Sequence, residues 1–297
     1  MKKDIIHIAL MALAICGLTS CSDQAEGTPE SVDAKSTPMR FIVTHPSQSR
    51  ATDSDFETGD KIGLFVAKSD TPLEVGGNLV NNARLTYDGS SWEASHTLYW
   101  DDGTYNAYAY YPYMDVISSA EDQPFSVSTD QSTPKSVTGM GGYEASDLLY
   151  ASQKGLTASN EPIKLTFKHI MSKLKIRLIK GEDYKGELPT DAMVYIHSTV
   201  PTATVDLQAG VATRYNRGKQ QSIIAHKDDD YTYSAIIVPQ RLAYRQPLIE
   251  VVTKGVSYLF ESKFVFKPGI EHLVNLVITD SPEDASISIG GEIQNWQ

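Results

Sequence analysis

The stretch Lys164-Leu165-Thr166-Phe167-Lys168, followed closely by Lys173-Leu174-Lys175-Ile176-Arg177-Leu178, alternates strictly between polar and apolar side chains. Successive side chains of a strand point to opposite faces, so Leu165 and Phe167 share one face. Leu174, Ile176 and Leu178 likewise share a face opposite Lys173, Lys175 and Arg177. Both runs therefore read as half-buried strands. Working outward, Ile62–Val66, Tyr105–Tyr111, Ala235–Val238, Ile249–Val252, Tyr258–Phe260, Phe264–Phe266 and Leu273–Ile278 are rich in the β-branched and aromatic residues that suit a pleated surface. Turn chemistry separates them: Gly59-Asp60, Gly76-Gly77, Asp88-Gly89, Asp102-Gly103, Gly141-Gly142 and Pro268-Gly269. Long helical periodicity is absent, and Ala145–Ala151 supports a helical turn and no more. There is no short-period repeat of the kind that builds a solenoid or propeller. The pattern predicts an all-β chain made of antiparallel β-sandwiches. Its length accommodates two of them in tandem, residues 39–168 and 169–297, with the seam near His169.

The 297 residues are 41% hydrophobic and 21% charged, enough apolar material for a packed core. The formal charge of -11 and the lack of a Lys/Arg-rich run exclude nucleic acid as the main partner, because phosphate binding needs a basic patch. Only two cysteines occur, Cys16 and Cys21. Lys2 and Lys3 precede an apolar run, Ile5 to Cys16, that is too short to span a bilayer and reads as the core of an export signal. Leu18-Thr19-Ser20-Cys21 then resembles the lipobox of bacterial lipoproteins. That resemblance implies cleavage after residue 20 and lipidation of Cys21, whose acyl chains would anchor the protein in the outer membrane. The alternative is an ordinary secretory signal with a chance cysteine. Residues 22–38 are polar and rich in Ser, Asp, Glu and Pro, so 21–38 reads as a tether. An exported body without further cysteines must hold together through its cores and ladders.

Catalytic signatures are missing from the sequence: it has no HExxH, GxSxG or phosphate-binding loop. Beyond the signal no free thiol remains for nucleophilic or thiolate–metal chemistry. His45, His96, His169, His197, His226 and His272 lack paired ligand spacing and read as surface or strand-edge residues. Asp53, Asp55, Glu57, Gly59 and Asp60 partly match a calcium loop, but the glycine comes one position late. Leu64 also occupies the slot of the bidentate acid, which favours a polar loop leading into a strand. Asp228-Asp229-Asp230 reads as a solvated hairpin tip. Gly139, Gly141 and Gly142 lack the Lys and helix start that a phosphate cradle needs. No cofactor or metal is expected. The aromatic–acidic stretch Trp92, Tyr99, Trp100, Asp101, Asp102 and Tyr105 could offer platforms to a sugar. Alternation along Tyr105–Tyr111, with Tyr105, Ala107, Ala109 and Tyr111 on one face and Asn106, Tyr108 and Tyr110 on the other, favours core packing instead.

Several segments taken in order carry a resemblance. They are Gly59-Asp60-Lys61-Ile62-Gly63-Leu64-Phe65, Tyr99-Trp100, and Tyr105-Asn106-Ala107-Tyr108-Ala109-Tyr110-Tyr111-Pro112. Ser146-Asp147-Leu148-Leu149-Tyr150-Ala151, Phe167-Lys168-His169 with Ser172-Lys173-Leu174, and Val238-Pro239-Gln240 follow. Together with the lipobox and tether, this order resembles the fimbrillin family of exported lipoproteins, the major-fimbrial-subunit-like proteins of type V pili. The resemblance spans nearly the whole chain. It implies two transthyretin-like β-sandwich domains, a structural or adhesive role at the cell surface, and no enzymatic activity. It also implies an assembly route in which an arginine-specific protease removes the first strand and the vacated groove accepts a strand from another subunit. The matching cut would fall between Arg50 and Ala51, releasing Met39–Thr44 with Phe41 and Val43 facing inward. Arg40 is the competing cut site, and Arg50 could equally be an ordinary exposed loop arginine. At the other end, Ala285–Gln297 reads either as a strand donated to a neighbour or as a strand completing its own domain, with Trp296 capping the core. A glycan-binding surface lipoprotein using Trp92 and Trp100 is the alternative function.

Overall fold

The central strand Lys61–Lys68 is buried along both of its faces, and this organises the body of the molecule. The computed structural model describes residues 33–46, 55–137, 139–243, 245–293 and 296. Lys61–Lys68 lies inside a six-stranded antiparallel sheet ordered Trp92–Ala94, Val80–Tyr87, Lys61–Lys68, Tyr105–Tyr111, Leu149–Leu156, Lys168–His169. Ile62, Leu64 and Val66 enter one hydrophobic core together with Tyr105, Ala107, Ala109 and Leu149. Phe65, Ala67, Tyr108, Tyr110 and Tyr150 point the other way, into a second core that continues through residues 170–296. Tyr105–Tyr111 therefore has the alternation expected of a strand, but apolar surface covers both faces. Such a sheet needs one close approach. Tyr110 sits opposite Gly63 in the register, and a Cβ at Gly63 would lie 2.3 Å from the Tyr110 ring.

The second core is closed by a five-stranded sheet and a four-stranded sheet. The first runs His226–Lys227, Thr232–Ile237, Ser172–Lys180, Glu271–Ile278, Ser286–Ile293, and the second Gln221–Ile224, Met193–Thr199, Pro247–Thr253, Val256–Glu261. Ser172–Lys180, the strand with the clearest alternation in the sequence, buries Leu174, Ile176 and Leu178 as expected. It pairs antiparallel with Thr232–Ile237 and parallel with Glu271–Ile278. The described residues are thus almost entirely β, with three single-turn 3₁₀ helices.

The seam is less clean than two tandem units would make it. Gln123–Ser126, from the first half, pairs with Thr202–Asp206 of the second. The second core also draws Phe125, Val127 and Leu148 from the first half. The helical turn expected over Ala145–Ala151 is one 3₁₀ turn, Glu144–Ser146, and Leu149 already begins a strand. The tether reading does not extend over residues 33–38: Asp33 caps a 3₁₀ turn at Ala34–Ser36, Ala34 is buried, and Trp100 N–H donates to Thr37 O.

Candidate functional site: the N-terminal strand and its seat

The strand reading of Met39–Thr44 corresponds to the extended segment Phe41–Thr44. Phe41 and Val43 are half-buried and pack on the first core, whereas Ile42 points outward and is 49% exposed. Among the described residues this strand has one ladder neighbour, Ile163–Thr166, in parallel register from Phe41↔Ile163 to Thr44↔Thr166. Backbone bonds mark its two ends: Ile163 N–H donates to Arg40 O at 2.8 Å, and Phe167 N–H donates to Thr44 O at 3.0 Å. Just before it, Met39 N–H donates to Leu98 O, so the chain crosses from one partner to another within a few residues. The strand's other side faces Trp92–Ala94 across two openings of about 380 and 320 Å³, which share Phe41, Ser91 and Trp92 in their walls.

Aromatic rings fill the end of this seat. Phe56 meets His45 at 4.7 Å, Trp92 at 4.9 Å, Tyr111 at 5.4 Å and Phe167 at 5.7 Å, each edge to face. His45 and Phe56, on either side of residues 47–54 in sequence, thus lie against one another. Arg50 and Ala51 fall in that segment and Cys21 falls in residues 1–32, so all three lie outside the described residues. Beside these rings is a cavity of about 310 Å³ with Asp60, Tyr111, Lys135, Glu144 and Asp228 in its wall. Burial pushes the carboxyls of Asp60 and Asp228 above the ordinary range. Lys135 Nζ donates to Glu57, and Asp60 accepts from Glu57 N–H. Glu57 to Asp60 is thus a closed turn leading into a strand. Among the described residues no three His, Cys, Asp or Glu side chains are arranged to hold a metal ion.

Other sequence readings are corrected here. Trp92 and Trp100 are 8% and 3% exposed and belong to the first core, so neither offers a face to a sugar; Tyr99 is the exposed aromatic of that stretch. Asp228 is not a solvated tip residue, because it accepts from Ser234 Oγ at 2.6 Å and lies 3.9 Å from Lys175 Nζ. His169 and His272 are core residues, not surface ones. His272 sits against Phe264 and Phe266, and its Nε2 accepts from Lys267 N–H.

The fold also assembles a chain that no sequence spacing announced. His197 lies 2.6 Å from Ser222 Oγ through Nδ1 and 2.8 Å from Glu250 Oε2 through Nε2, and Glu250 accepts from Ser257 Oγ. These four residues come from four adjacent strands of one sheet. The hydrogen bonds from Ser257 and then His197 hold the Glu250 carboxyl below its usual range. The network ties strands together across an open sheet face.

The C-terminal strand Ser286–Ile293 is seated antiparallel on Glu271–Ile278, and Trp296 beyond it is 4% exposed within the second core. Of the two readings of residues 285–297, this geometry matches a strand completing its own body.

A model of fimbrillin-like proteins matches residues 49–296. The chain belongs to the fimbrillin-like family. Membership makes it a structural subunit of fimbriae, which are appendages of the cell surface. A Bacteroides uniformis protein described as the fimbrium subunit Fim1C is 25% identical over 313 residues, spanning 100% of this chain and 96% of that relative. A Bacteroides ovatus protein described as a fimbrium tip subunit is 30% identical over 197 residues. That match covers 59% of this fimbrillin-like chain but only 35% of the relative's length. In fold, the chain is similar to the crystal structure of a protein described as a cell adhesion protein of Bacteroides uniformis. The TM-score is 0.66 at 21% identity, over 88% of this chain and 99% of that one.

Proposed function

We propose that this fimbrial subunit is exported as a lipoprotein, held at the outer membrane through Cys21, and joined to other subunits by strand exchange. In this reading an arginine-specific protease cuts between Arg50 and Ala51. The segment carrying Phe41–Thr44 then leaves, and the vacated seat takes an extended strand from a neighbour. The observation that carries the reading is the seating of Phe41–Thr44 among the described residues: four residues, one ladder partner, and a second edge bordered by openings along much of its length. Departure of the strand would uncover the apolar groove that Phe41 and Val43 cover, a surface that only another strand of similar pattern would satisfy. The two halves, 39–168 and 169–297, act as sandwich units in this scheme, preceded by the signal 1–20 and a linker from Cys21 onward. Catalysis has no part in it. Arg50→Ala tests the scheme directly. Mature protein recovered from cells should keep Cys21 as its lipidated N-terminus and stop polymerising; normal size and normal pili in the variant would sink the reading.

A further inference from the structure

His169 lies beside residues that flank both the strand Phe41–Thr44 and the strand Ser286–Ile293. It pairs through its backbone with Leu149 in the six-stranded sheet, three residues beyond the strand that holds Phe41–Thr44. Its ring is buried, and Nδ1 lies 2.9 Å from Asp147 Oδ1. A carboxylate only accepts, so Nδ1 carries a proton toward Asp147. Nε2 has no hydrogen-bond partner among the described residues. The Trp296 indole stacks on the same ring at 3.7 Å and 8°. His45, the first residue after the N-terminal strand, meets it edge-on at 6.3 Å. Trp296 is held further by its N–H to Gly269 O and by the Lys173 ammonium 5.2 Å from its ring.

We propose that His169 is a positioning residue that couples the seating of the two terminal strands, so that loosening either one loosens the other. The coupling has a stated source. With the N-terminal strand seated, Nε2 is buried and unpaired, and the ring lies flat against Trp296. When the N-terminal strand leaves, water reaches that side and pairs with Nε2, which favours a ring position off the indole. Trp296 then loses its largest flat contact, and the strand it anchors opens more often. The proposal deepens the strand-exchange reading, because removal of the first strand would prime the last. Its test measures local opening in the intact chain and not assembly, so the two can fail separately.

Amide hydrogen exchange on the full chain provides that test. Phe41→Ser with Val43→Ser should speed exchange of Ser286–Ile293 about five-fold or more. Pro247–Thr253 and Val256–Glu261, which lie in the same half on a different sheet, should stay at their parent rates. In the reverse direction Trp296→Ala should also speed exchange of Phe41–Thr44. In a His169→Gln background, which keeps a donor for Asp147 without the ring, each strand should become indifferent to the other. If His169→Gln does not fold, Trp296→Leu replaces it and must abolish the same response. An unresponsive C-terminal strand, a coupling that survives these variants, or equal acceleration of the control strands would each overturn the proposal.

Discussion

Among the described residues the N-terminal strand Phe41–Thr44 has four residues and one ladder partner, in parallel register, with Ile42 exposed. The C-terminal strand Ser286–Ile293 has eight residues in antiparallel register, and Trp296 beyond it is buried in the second core. Parallel pairs are slightly weaker per residue, and a short edge strand with two half-buried anchors gives up little when it leaves. A buried tryptophan gives up much more. The contrast shows which strand is held the more lightly: Phe41–Thr44 rests on a light seat, whereas Ser286–Ile293 is followed by a buried anchor.

Four changes would break or sharpen that contrast. Deleting residues 285–297 should have the largest effect, abolishing cooperative unfolding of the body as followed by circular dichroism and urea titration. An intact fold with lost polymerisation would instead make this segment a donor. Trp296→Ala should lower the unfolding free energy by about 3–5 kcal/mol, the usual range for truncating a large buried aromatic, and urea denaturation measures it directly. Val43→Ala at the other end should cost only about 1 kcal/mol, because its side chain is half-buried at an edge. A Val43 effect equal to that of Trp296 would erase the comparison.

The smallest effect concerns Asp88, in the turn before Trp92–Ala94, which faces the N-terminal strand. N–H groups of Ser91 and then Ser90 hold its carboxyl down to about 2. A depressed carboxyl adds stability above its unfolded value of roughly 4, and that contribution disappears as pH falls through the folded value. Asp88→Ala should therefore flatten the acid limb of a stability profile between about pH 4 and pH 2 and leave the neutral plateau nearly unchanged. A changed slope near pH 7 would contradict it.

Much of the architecture was legible in the chain. Leu174, Ile176 and Leu178 face the core as their spacing demands, and Phe41 and Val43 point inward as read. The misreadings share one cause. Exposed and buried aromatics look alike in sequence, so the glycan-platform alternative for Trp92 and Trp100 stayed open until the fold enclosed both rings, in line with the core packing that alternation favoured. His272 passed for a surface or strand-edge residue for the same reason, whereas His169 does lie on an edge strand, with its ring turned into the core. The Ser222–His197–Glu250 chain gave no signal, because its members lie 25 and 53 residues apart and meet only through strand pairing.

Local alternation, turn residues and motif order by themselves determined an all-β chain with inward and outward faces assigned strand by strand, and they pointed to a fimbrial family. Those features depend on a two-residue period and on nearest neighbours, which a sequence displays directly. Only the tertiary structure decided that Tyr105–Tyr111 is covered on both faces, that Phe41–Thr44 pairs in parallel with Ile163–Thr166, and that His169 lies against Trp296. Each of these joins residues remote in the chain. The partner a strand face meets is set by how whole sheets stack, which no local period encodes.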